Sequence, residues 1–299
     1  MDWTHPGVRT SLGLLPTVLV SHALSNVNDV VDRLVASTLT TGAIAALGFG
    51  HRLVTLPHGL LSHALLQVLY PSLSARLATE GPGAAGLLLR RGMVTLTLLL
   101  PVATLLAVES ATIVQLVYGR GRFGPEDVAV TAAALRAFAP GLVFAGVRDL
   151  ALRGLYAVND RRLPIIAAVA GAATNVAGDF SLGPLLGVTG LALATSGSQA
   201  VSCAVALPGL GRGGGRVQVS GILRALAPVA VAGAVSGAVM VLLSASLPAT
   251  ATTAGAMLRV ATVGAAGIVA HLVMLWLRRV PELREMRSLA RRGRSRRRG

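Results

Sequence analysis

The chain has 299 residues, of which 53% are hydrophobic, 13% charged and 3% aromatic, where a soluble domain carries about 25% charged residues; this excludes an ordinary soluble enzyme and points to an integral membrane protein. The formal net charge is +15 and all 27 basic residues are arginine, but ten of them follow Trp276 and most others punctuate short gaps between apolar runs, a distribution unlike a nucleic-acid-binding face.

Membrane-spanning helices need about 20 apolar residues, and eight runs qualify: 11–36, 43–75, 92–116, 128–156, 163–183, 187–208, 221–246 and 255–278. The second and fourth are long enough to tilt or to extend beyond the hydrocarbon. Pro57, Pro71, Pro101 and Pro140 fall inside spans, where they kink helices and free carbonyls that neighbouring helices re-satisfy.

The start of the first run, Arg9 then Leu12 to Val20 then Ser21-His22-Ala23, loosely has the layout of a signal peptide. Asp2 nearly cancels Arg9, and cleavage would discard the helix leading into Asp32, so the segment reads as a span. Within it Asn28 and Asp32 share one helical face, and Asp29 and Arg33 form an oppositely charged i, i+4 pair expected near the outer interface.

The second run contains Arg52, in His51-Arg52-Leu53-Val54-Thr55-Leu56-Pro57. An arginine inside a membrane must face an acid or a wet cavity. Its planar fork suits phosphate, and a structural pairing with an acid fits the residues equally well. His51, His58 and His63 lack a metal-ligand spacing and read as polar helix residues.

The fifth run carries Thr174-Asn175-Val176-Ala177-Gly178-Asp179. A carboxylate at mid-bilayer costs about 2.5–3.5 kcal/mol on insertion scales, so it is rarely there without a use. Asn175 and Asp179 lie four residues apart on one face. In the sixth run Thr195 follows Leu191 by four residues, and a tight hairpin through Gly183-Pro184 would bring Thr195 toward Asp179. Carboxylates, carboxamide, hydroxyl and a backbone carbonyl make an all-oxygen set for a hard cation. Two carboxylates could instead share a proton. Na+ and H+ both fit, and no other cofactor is required. Cys203 sits among apolar neighbours as a small buried hydrophobe, with no partner for a disulfide.

Gly209 to Gly215 is glycine-rich and basic but lacks the spacing and preceding strand of a phosphate loop; it reads as a flexible connector. The tail ending Arg294-Ser295-Arg296-Arg297-Arg298 reads as a solvated extension attracted to anionic headgroups. The resulting organisation is a six-helix membrane bundle over 1–210, two further helices over 211–278 and a basic tail over 279–299. With both ends in the cytoplasm, the inner loops carry Arg76, Arg90 and Arg91, then Arg148, Arg153, Arg161 and Arg162, then Arg212, Arg216 and Arg224. The outer loops carry Arg120 and Arg122, offset by Glu109, Glu126 and Asp127, which satisfies the positive-inside rule. No Ser-His-Asp, HExxH or nucleotide-loop pattern suggests an enzyme.

Five blocks carry a family resemblance: Val31-Asp32-Arg33-Leu34-Val35-Ala36-Ser37; His51 to Pro57; Tyr118-Gly119-Arg120-Gly121-Arg122-Phe123; Tyr156-Ala157-Val158-Asn159-Asp160-Arg161-Arg162-Leu163-Pro164; and Gly187 to Ser196. In order and spacing the chain resembles the MurJ/MviN lipid II flippases, within the multidrug, oligosaccharide-lipid and polysaccharide exporter superfamily. The resemblance implies an all-α inner-membrane fold of about eight spans, equivalent to the second six-helix lobe of a MurJ-like fold plus its two C-terminal helices. It implies transport of an undecaprenyl-pyrophosphate-linked peptidoglycan precursor by alternating access. It also implies that Asp32, Asn175, Asp179, Thr195 and the carbonyl of Leu191 form a sodium site, and that Arg52 meets the pyrophosphate. The first lobe is not matched. The expected partners are therefore the lipid-linked glycan, membrane lipids, and either a separate first-lobe chain or a second copy. A non-transporting scaffold and an exporter of another lipid-linked glycan or a drug are the alternative readings.

Overall fold

In the computed structural model, described residues are 26–60, 99–157, 160–209, 219–248 and 252–278, with isolated positions 19, 23, 24, 92 and 96. His63, Pro71, Arg76, Arg90, Arg91, Arg212, Arg216, the connector over 210–218 and the basic tail lie outside them. The described residues form nine helices and no strand. They are α1 (residues 26–37), α2 (Ala43–His58), α3 (Leu99–Val108), α4 (Ser110–Tyr118), α5 (Pro125–Ala157), α6 (Arg162–Leu186), α7 (Val188–Gly209), α8 (Val219–Ser246) and α9 (Thr253–Leu277). Five are long and apolar enough to cross a membrane: α5, α6, α7, α9 and the Ala227–Ser246 part of α8. This is an all-α, multi-pass membrane architecture. Every backbone N–H within a span is satisfied inside its own helix, as hydrocarbon demands.

The third expected span, 92–116, is not continuous. Among its described residues, α3 and α4 meet at Glu109 with a bend of 79° and count as one further span only if taken together. Glu109 is not a loop charge, as the topology reading had it. It is 2% exposed and accepts both Oε contacts from Arg259 Nε at 3.1 Å and one from Thr112 Oγ1 at 2.6 Å. Arg259 also donates to the carbonyls of Ser244, Leu247 and Pro248 and to Ser244 Oγ, at 2.8–3.1 Å. One guanidinium thus satisfies orphan carbonyls at the end of α8 and fastens the α8–α9 hairpin to the corner between α3 and α4. A small apolar cluster of Val229, Ala232 and Leu275 packs with Leu100 on the same side.

The main core joins α2, α3, α5, α6 and α7, with α7 packed against both α5 and α6. On α6 the buried residues are Pro164, Ala167, Gly171, Asn175, Asp179 and Gly183. That is one residue per turn, small or polar, while Ile166, Val169 and Phe180 face outward. Such an inside-out stripe is expected where lipid is as apolar as leucine and helices associate through small residues and polar bonds. Ser202 Oγ donates to Ala167 O at 2.8 Å and Ser196 Oγ to Ala137 O at 2.7 Å.

The α6–α7 hairpin forms, but it turns at Gly187 rather than at Gly183-Pro184. α6 runs through Pro184 to Leu186, and Gly187 takes φ +61°, a conformation glycine adopts without steric cost. Gly183 serves packing instead: a Cβ there would lie 3.0 Å from Val35 Cγ1 on α1 and 3.2 Å from Leu191 Cδ2 on α7. Asp160, in the resemblance block before α6, accepts from the amides of Arg162 and Leu163 at 2.9 and 3.2 Å and caps that helix. Tyr118 and Phe123, from another block, stack around Phe49 of α2 at ring distances of 4.6 and 5.7 Å.

Candidate functional site

A cavity of about 510 Å³ opens within the bundle, lined by residues of α1, α2, α5, α6 and α7. α1 contributes Leu24, Asn28 and Asp32 at successive turns, with Asp29 beside them. The expected Asp29–Arg33 ion pair does not form among the described residues, and Asp29 faces the cavity. α6 contributes Gly171 and Asn175, and α7 contributes Thr195, Ser198, Gln199 and Ser202. The period of these positions is helical in each case, so every wall of the cavity is a single face.

At one end the polar groups converge. Asn175 Nδ2 donates to Asp32 Oδ1 at 2.6 Å and to Asp179 Oδ2 at 2.8 Å. Asn175 is 2% exposed and Asp179 fully buried. Two carboxylates from helices 143 residues apart are thus held together by one amide group. Asp179 Oδ1 is enclosed and has no hydrogen-bond partner, an arrangement that burial normally penalises. Thr195 stands on the facing helix, its hydroxyl donating to Leu191 O at 3.1 Å. A Cβ on Gly178 would lie 2.6 Å from Ala194 Cβ, so α6 and α7 touch at the level of Asp179 and Thr195.

Asp32, Asn175, Asp179 and Thr195 therefore share one end of the cavity or its immediate wall, with the Leu191 carbonyl bound to Thr195. Half a turn of the Asn175 amide would present its oxygen beside the unsatisfied Asp179 Oδ1. Hard oxygen donors of this kind suit Na+ or a proton rather than a soft metal. Arg52 is apart from them. It is exposed on α2 and is not among the cavity-lining residues, whereas its neighbour His51 is.

The other end of the cavity is cationic, and sequence reasoning had missed it. Arg148 and Arg153 were read as inner-loop charges; both lie within α5 and line the cavity with Asp149 and Tyr156. Arg148 Nη2 and Nε donate to Asp149 Oδ1 at 2.7 and 3.1 Å, and Arg148 Nη1 donates to Gln199 Oε1. His58 Nε2, at the end of α2, lies 3.1 Å from Asp149 Oδ2. The available signal was the Arg148-Asp149 pair inside an apolar run already long enough to span.

The profile of the family described as Lipid II flippase MurJ matches residues 1–261. The chain belongs to the MurJ lipid II flippase family. A probable lipid II flippase MurJ of Rhizobium meliloti (strain 1021) is 32% identical over 190 residues, covering 63% of this chain and 35% of that protein. One of Vibrio cholerae serotype O1 is 28% identical over 209 residues, covering 70% and 40%. This MurJ-family chain thus spans well under half the length of both relatives. Its fold matches a solved structure of lipid II flippase MurJ in an inward closed conformation, with a TM-score of 0.68 and 23% identity over 85% of this chain and 51% of that one. The family is one of flippases rather than of enzymes, and the multi-pass architecture accords with it.

Proposed function

We propose that this chain acts in flipping lipid II, an undecaprenyl-pyrophosphate-linked peptidoglycan precursor, across the bacterial cytoplasmic membrane, and that it supplies the cation-coupling lobe. In this reading residues 1–210 form that lobe, 211–278 an appended helix pair, and both termini face the cytoplasm, the side favoured by the arginine distribution. The observation that carries the proposal is the bridge from Asn175 to Asp32 and Asp179, beside the unpartnered Asp179 Oδ1. A buried carboxylate oxygen without a donor is costly unless a cation or proton serves it.

Asp32, Asn175, Asp179, Thr195 and the Leu191 carbonyl would hold Na+ or H+. The ion would supply positive charge that draws α1, α6 and α7 together. Arg52, exposed on α2, would meet the pyrophosphate, for which a guanidinium offers paired donors. Alternating access requires two bodies moving about a shared site, so a first-lobe chain or a second copy completes the transporter.

Complementation tests the reading. In cells depleted of their own flippase, this chain, expressed alone or with a first-lobe partner, restores growth, and Asp179→Ala does not. Calorimetry on the purified chain shows Na+ or proton binding that Asp179→Ala abolishes. Identical ion binding in wild type and variant removes the coupling role. No rescue in any combination favours a scaffold.

A further inference from the structure

The cation end of the cavity does not stand alone: Gln199 lies one helical turn beyond Thr195 on the same face of α7, about 6 Å of rise, and its Oε1 accepts from Arg148. The Arg148 guanidinium, in turn, is held by Asp149 at 2.7 Å, and Asp149 also meets His58 of α2 at 3.1 Å. A chain of contacts therefore crosses the cavity from α2 through α5 to α7 and ends next to the hydroxyl proposed to hold the ion. Arg148 and Asp149 are each only partly exposed, at 27% and 23% of their side chains, so solvent screens them incompletely.

We propose that the Arg148–Asp149 pair sets the cation affinity of the cavity: the guanidinium opposes the ion, the adjacent carboxylate offsets it, and Gln199 fixes how near the guanidinium stands. This inference rests on the proposed Asp32–Asn175–Asp179 cation site. Neither residue touches the ion in this scheme; both act through space. Because the two charges are of opposite sign and lie side by side, removing one has the opposite effect to removing the other. Removing both returns the field close to its starting value. A purely structural role would not produce that pattern, since losing either partner of a structural pair weakens the site in the same direction.

The experiment is Na+ binding by calorimetry to the purified full chain in detergent, with choline as the control cation, at a pH above the ordinary histidine range so that His58 stays neutral. Arg148→Gln raises Na+ affinity and Asp149→Asn lowers it, each on the order of tenfold, the effect of one charge roughly 6–10 Å away at an effective dielectric near 20. Arg148→Gln/Asp149→Asn together restore affinity to within about threefold of wild type, and Arg148→Lys, which keeps the charge, does the same. Loss of affinity in both single variants, or no change in either, overturns the inference while Asp179→Asn still abolishes binding and sustains the site. Binding unaffected by Asp179→Asn, or no Na+ binding by the wild-type chain, overturns the site and the inference with it.

Discussion

Replacing Arg259 with methionine keeps most of the side-chain volume and removes the guanidinium. In the folded chain that group makes two contacts with Glu109 at 3.1 Å and four with the end of α8 at 2.8–3.1 Å. Glu109 is 2% exposed, so the variant leaves a buried carboxylate with Thr112 as its remaining printed side-chain partner. Removing one partner of a buried ion pair costs about 3–5 kcal/mol, because the other charge is left uncompensated. The expected result is a clear fall in thermal midpoint in detergent, together with protease sensitivity near residues 248–252, where α8 and α9 join. Glu109→Gln/Arg259→Met recovers part of the loss, since neutralising both partners removes the stranded charge. Unfolding of Arg259→Met within a degree or two of wild type, or a double variant less stable than the single one, refutes the assignment of this contact as the fastening between hairpin and bundle.

Gly190→Ala brings a Cβ to 2.2 Å from Leu182 O, a backbone atom that cannot rotate away. Overpacking of this kind costs about 1–3 kcal/mol and shows as a lowered thermal midpoint; an unchanged midpoint refutes the close crossing of α6 and α7. Arg52→Ala, at an exposed position of α2, leaves the midpoint within about a degree of wild type, as surface substitutions do, and abolishes growth rescue in flippase-depleted cells. Full rescue by Arg52→Ala removes its role with the pyrophosphate.

The cation end of the cavity was legible in the sequence because polar groups in an apolar run are conspicuous, and a spacing of four puts them on one face. That reasoning picked Asn175 and Asp179 together, and Asp32 and Thr195 as their companions. Arg148 and Asp149 escaped it because an arginine near the end of a span satisfies a topology rule equally well in a loop. Only the packing of α5 against α2 and α7 tells the two apart. Glu109 was misplaced for a similar reason: its partner Arg259 is 150 residues away, and no local pattern links them. The hairpin between α6 and α7 was foreseen, but Gly183, Gly187 and Gly190 are interchangeable in sequence. Which of them turns the chain depends on where Val35, Leu182 and Leu191 leave no room for a side chain.

The narrow inward line of α6 has a consequence for how this helix tolerates change. Six positions, from Pro164 to Gly183, meet protein, and the rest of its circumference meets acyl chains. Saturation mutagenesis of α6 would therefore trace a barcode: one intolerant site per turn, separated by positions where any greasy residue serves. Drift across the lipid-facing majority is nearly free, so sequences can diverge widely while the chemistry stays confined to a strip one side chain wide.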